Sequence, residues 1–176
     1  MNQRAQTILK SGSLALVIAL ALAPGCQQPP DPSKTLKPVG ERYVAVWNTG
    51  NVNDLDAIID PHFVYHSNLL PEVEGIDGLK KIISGFRASY PDLKIVLESE
   101  LYSGNRSAVR WTLTGTNTGP GEMPPTGKPV KLWGISLLEY ADGKITAEWL
   151  AFDNQSYLEQ LGFSMMPPSQ PKAKSK

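Results

Sequence analysis

The chain has 176 residues, with 17 basic and 17 acidic side chains and a single cysteine. That balance leaves no cationic excess to neutralise phosphates, which argues against nucleic acid as a partner. One cysteine excludes an internal disulfide framework and a cysteine-based zinc site, and it speaks against a catalytic thiol.

Arg4 and Lys10 form a positive segment with no acidic neighbour, and an apolar run of ten residues follows, Leu14 to Ala23. A span across a bilayer needs about 20 apolar residues. The pattern is that of a secretory signal peptide, here residues 1–25. It ends in Ala23-Pro24-Gly25-Cys26. Small residues before a lone cysteine resemble a bacterial lipobox. The resemblance implies lipidation of Cys26 and an exported, membrane-anchored protein, at the outer membrane in a Gram-negative host. The alternative is an ordinary signal peptide cut nearby, with Cys26 incidental. Without residues 1–25 the chain keeps 15 basic and 17 acidic groups over 151 residues, a size that fits one domain. The Pro-rich stretch Gln27 to Pro38 reads as a tether, with residues 26–35 ahead of the folded part. The tail from residue 164 onward ends in PPSQPKAKSK. It holds little apolar surface to bury and is expected to be disordered.

Between them, residues 36–163 alternate helix-like and strand-like periodicity. Leu36 to Asn48 places Val39, Tyr43, Val46 and Trp47 on one helical face. Pro38 suits its first turn and Gly50 its end. Val52 to Ile59 reads as a short helix stopped by Pro61, and His62 to Ser67 as a β-type run. Leu79 to Tyr90 reads as a helix with Leu79, Ile82, Ile83 and Phe86 in register. Strand-like runs follow at Leu93–Tyr102, Ser107–Thr116, Pro129–Tyr140 and Lys144–Phe152, joined by Gly104-Asn105, a Gly/Pro-rich loop and Asp142-Gly143. Gln155 to Leu161 reads as a last helix. Helices first and consecutive antiparallel strands after them imply an α+β fold, a curved antiparallel sheet with helices packed on one face.

Side chains alternate along a strand, so Ala147, Trp149, Ala151 and Asp153 share one face. A carboxylate among apolar neighbours in a closed pocket would have a raised pKa, which suits acid–base work near neutral pH. Asp153 is therefore the first catalytic candidate; the competing reading is that it caps the final helix. Trp149 and Trp133 are candidate pocket walls, whereas Trp47 reads as core. His62, Val64 and His66 also share a face, and His66 is the second acid–base candidate. Two histidines without a carboxylate on the same element give little support to a metal site. Thr126-Gly127-Lys128 is followed by Pro129 and no helix, so it is not a phosphate loop.

The order of these runs, and Trp149, Asp153, Tyr157, Gln160, Leu161 and Gly162 in a W-x-x-x-D-x-x-x-L-x-x-Q-L-G pattern, resemble the SnoaL-like polyketide cyclases, also called ester cyclases. They belong to the cone-shaped superfamily that includes ketosteroid isomerase and nuclear transport factor 2. The resemblance implies a cone with a deep apolar pocket, Asp153 as its acid–base residue, His66 at the end of a strand, and no cofactor. The family's G-T-H-x-G turn is here Gly115-Thr116-Asn117-Thr118-Gly119, so Asn117 replaces the histidine and can donate a hydrogen bond to an oxyanion. Glu148 stands where the family has histidine, and it is expected on the side of the strand opposite Trp149, towards helices or solvent. Three functions compete: a cofactor-free acid–base enzyme acting on a small hydrophobic molecule, a non-catalytic binding module for such a ligand, and a structural cone that dimerises through its sheet as relatives do.

Overall fold

The computed structural model describes residues 30–164. The expected signal peptide, Cys26 and the tail beyond Ser164 lie outside the described residues. Three α-helices, α1 (Ser33–Thr49), α2 (Gly75–Ser89) and α3 (Asn154–Leu161), accompany six strands. The strands are β1 (Ile59–Ser67), β2 (Val73–Glu74), β3 (Lys94–Ser103), β4 (Arg106–Thr116), β5 (Pro129–Ala141) and β6 (Lys144–Phe152). They form one sheet in the order β2-β1-β6-β5-β4-β3. The fold is α+β, with the N-terminal helices against one face of a curved sheet.

The sheet is mixed rather than purely antiparallel. β1 pairs parallel with β6, while the other pairings are antiparallel. Two-residue turns join β3 to β4 and β5 to β6 and dictate opposite directions there, while residues 117–128 form the longer loop that returns the chain from β4 to β5. β1 and β6 are far apart in sequence, so no tight turn constrains them. Asp142 and Gly143 both take positive φ, 49° and 76°. That is the backbone of a two-residue primed hairpin turn, and it explains the Asp-Gly pair.

α1 starts at Ser33 and so takes in the end of the expected tether. Asp31 accepts from the Ser33 N–H at 3.0 Å, which helps to start it. Pro38 therefore sits in the second turn rather than the first. Leu36, Tyr43, Val46 and Trp47 are its buried positions, and Gly50 closes it with φ +77° and an N–H bonded to the Val46 carbonyl. The segment after it is a 3₁₀ helix, Val52–Ala57. Pro61 does not stop a helix; it lies inside β1, where the register with β6 shifts between Ile59 and Val64. A residue without an N–H is tolerated at such an irregularity.

Two clusters share the core. One joins α1, α2 and β1 with the Asp142-Gly143 end of the β5–β6 hairpin. The other is built on Tyr90, Trp111, Leu132, Tyr157 and Leu161. The hollow between helices and sheet lies where they meet.

Candidate active site

In β4, Val109, Trp111 and Leu113 point inward, and so do Val130, Leu132, Ser136, Leu138 and Tyr140 of β5. In β6 the inward set is Glu148, Leu150 and Phe152. α1 adds Tyr43, Val44 and Trp47, and α2 adds Phe86. Together they enclose a cavity of about 80 Å³. All six tyrosines of the chain line it: Tyr43, Tyr65, Tyr90, Tyr102, Tyr140 and Tyr157.

Glu148 is the buried acid of this cavity, with 3% of its surface exposed. The Tyr43 hydroxyl donates to its Oε2 at 2.7 Å, and Ser136 is its second hydrogen-bonding neighbour. Burial raises the carboxyl above its usual value, and the bonds from Ser136 and Tyr43 oppose that rise. Burial also holds the Tyr43 hydroxyl well above its ordinary range, with the Glu148 charge adding to the effect. Tyr65 is raised for the same two reasons. Both phenols therefore act as donors to the carboxylate or as neutral walls, never as phenolates near neutral pH.

Ser136 is positioned from behind. The Trp111 indole N–H donates to its Oγ at 3.0 Å, which frees the serine proton for Glu148. Trp111 reaches Ser136 only by lying over Gly134, its partner across the sheet. A Cβ at Gly134 would stand 2.2 Å from the Trp111 ring and 2.9 Å from the Ala151 carbonyl oxygen. Elsewhere on the wall, Ser107 and Tyr140 share a 3.0 Å hydrogen bond, and Tyr90 and Tyr157 a 2.8 Å one. A second carboxylate, Glu100, lines the cavity, accepts from the Tyr102 hydroxyl and pairs with Lys37 at 3.4 Å.

The residues expected to form the site lie elsewhere. Asp153 is exposed and caps α3, its Oδ1 accepting from the Ser156 N–H at 2.9 Å. The shared face of Ala147, Trp149, Ala151 and Asp153 is real after Ala147, but it is the outer face. Trp149 is 40% exposed and Trp133 55%. Trp133 lies under the Arg110 guanidinium at 5.5 Å. His66 stacks on Trp149 with ring centroids 4.8 Å apart, and its Nδ1 meets Glu72 at 2.7 Å. Neither histidine lines the cavity. The register with β5 shifts between Glu139 and Tyr140, so Ala147 and Glu148 are both buried although adjacent. Beyond that shift the inward set is Glu148, Leu150 and Phe152. Glu148 does face away from Trp149, as the alternation requires, and the side it faces is α1. The signal for it was present: its alternating partners Leu150 and Phe152 are large and apolar, whereas those of Asp153 include two alanines.

Asn117 is 1% exposed, but its role is to pin the long loop. Its Oδ1 accepts from the Thr126 N–H at 2.8 Å and the Thr126 hydroxyl at 3.0 Å. It borders a second, outer hollow of about 400 Å³ that shares Phe86, Tyr90 and Tyr157 with the inner cavity. Among the described residues no group of three His, Cys, Asp or Glu side chains is placed to hold a metal ion.

Solved structures share this architecture. AclR from Streptomyces galilaeus is 26% identical, matching 75% of this chain and 98% of its own with a TM-score of 0.65. TsrD from Streptomyces laurentii is 23% identical over 73% of this chain and 96% of its own, with a TM-score of 0.66. A Catenulispora acidiphila protein with a ketosteroid isomerase-like fold, solved with trimethylamine, is 16% identical over 73% of this chain and 97% of its own, with a TM-score of 0.63. No curated protein matches the chain. Residues 37–161 match the family of SnoaL-like polyketide cyclases. That match covers most of the chain and the whole of the cavity wall, and the chain belongs to this family.

Proposed function

We propose that the protein binds a small hydrophobic molecule in the cavity and that Glu148 exchanges a proton with it. The observation that carries this reading is a buried carboxylate with raised pKa in an otherwise aromatic wall, held by Tyr43 and Ser136. A carboxyl poised above its usual range can take a carbon- or oxygen-bound proton and return it. Aldol-type ring closure, isomerisation and hydrolysis each include such a proton transfer: from carbon before the enolate attacks the carbonyl, from carbon and back to another carbon, or from the water that attacks the bond to be cleaved. Tyr43 and Ser136 then stabilise whichever form of Glu148 carries the negative charge.

The test is deuterium exchange at acidic C–H positions of small ketones and 1,3-dicarbonyl compounds in D2O, followed by proton NMR. Exchange by the wild type that falls about 10²-fold or more in Glu148→Gln supports the reading. Exchange that survives the substitution, or none with any compound, removes Glu148 from catalysis. Ligand capture without chemistry is the second reading, favoured by the tyrosine hydroxyls satisfying one another at Tyr90–Tyr157. It predicts binding with no exchange.

The N-terminal sequence supports export and anchoring through Cys26. Palmitate labelling of the wild type, absent in Cys26→Ala, is the expected outcome; equal labelling of both would remove the anchor.

A further inference from the structure

We propose that the head group bound in the inner cavity is a small organic cation, a substituted ammonium, seated against the aromatic walls with Glu148 as its counter-ion. The proposal deepens the reading above and rests on the cavity being the ligand site.

The first observation is charge. Buried carboxylates are ordinarily paired with a basic group. The neighbours of Glu148 are neutral: Tyr43 from α1, Tyr65 from β1, and Ser136 and Tyr140 from β5. Among the described residues no lysine, arginine or histidine lines the cavity. The other carboxylate, Glu100, already has Lys37 as its partner. Glu148 is thus the one buried acid of the cavity without a cation, and an anionic ligand would meet two carboxylates and no positive charge.

The second observation is the wall. Six tyrosines together with Trp47, Trp111, Phe86 and Phe152 surround the space. Aromatic faces attract ammonium groups, most strongly where water is excluded. The third is size. About 80 Å³ suits a compact head group rather than a fused ring system, and the outer hollow of about 400 Å³ behind Phe86, Tyr90 and Tyr157 has room for the rest of a longer ligand.

The experiment is a proton NMR titration of the full chain with tetramethylammonium chloride and, as the neutral isostere, tert-butanol, between pH 5 and 9. The cation is expected to bind at least about tenfold more tightly, with shifts at Trp111 and Trp47. Its affinity should rise with pH as Glu148 ionises, while that of tert-butanol stays flat. Glu148→Gln should remove both the preference and the pH trend; Asp153→Asn, at an exposed acid outside the cavity, should keep them. Because the pH trend is read on the wild type, it stands even if a variant folds poorly. Equal affinities, a flat cation profile, a trend that survives Glu148→Gln, or shifts confined to the outer Trp133 and Trp149 would each overturn the proposal. Cavity binding of tert-butanol alone would do so while leaving the proton-transfer reading intact, since that reading is decided by exchange.

Discussion

Tyr43 and Glu148 are 105 positions apart in sequence, yet the tyrosine hydroxyl meets the carboxylate at 2.7 Å inside the protein. The contact ties the first helix to the last strand in the wall of the cavity. It places a proton donor beside a buried carboxyl, and among the described residues no basic side chain lines that cavity.

Tyr43→Phe removes that donor and leaves a buried acceptor short of one bond. Stability should fall by about 1–3 kcal/mol. The Glu148 carboxyl should move further up, because an interaction that lowers its pKa is gone. Chemical denaturation measures the first, and the carboxyl infrared band followed against pH measures the second.

Glu148→Gln should change how stability depends on pH. The folded-state pKa of Glu148 is raised, so its protonated form is the one the fold accepts. Its contribution is fully present below the unfolded value of about 4.3 and is lost as pH rises through the folded value. The wild type should therefore lose denaturation midpoint relative to Glu148→Gln as pH rises above the unfolded value of about 4.3. A constant difference between the two as pH rises would show that the carboxyl titrates normally.

Gly134→Ala puts a methyl group where the Trp111 ring lies, against a backbone oxygen that has little room to retreat. Overpacking of this kind costs about 1–3 kcal/mol. Trp111 should also lose Ser136, visible as a shifted indole N–H resonance. An unchanged resonance would mean that the ring reaches Ser136 without needing the glycine.

Asp153→Ala should cost about 0.5–2 kcal/mol through the lost helix cap. Ligand affinity and proton exchange should stay as in the wild type, because the side chain lies outside the cavity. A hundredfold loss of exchange with unaltered stability would return Asp153 to the chemistry.

The elements were legible because their signals are local. The spacing of Tyr43, Val46 and Trp47 makes a helix face wherever that helix packs, and Asp142-Gly143 makes its turn from two backbone conformations alone. Trp149 and Ala151 share the exposed face of β6 for the same reason, while Asp153 lies one residue past its end as the cap of α3. Which face looked inward was not local. It depended on β1 joining β6 in parallel and on the register shift that lets Ala147 and Glu148 be buried side by side.

The sequence by itself determined the family, the α+β order of elements and a chain with few groups able to do acid–base work. Tertiary structure decided which acid is buried. A strand carries two faces with equal regularity, and only the packing of α1 against the sheet turned Glu148 towards Tyr43 and left Asp153 in solvent to cap a helix.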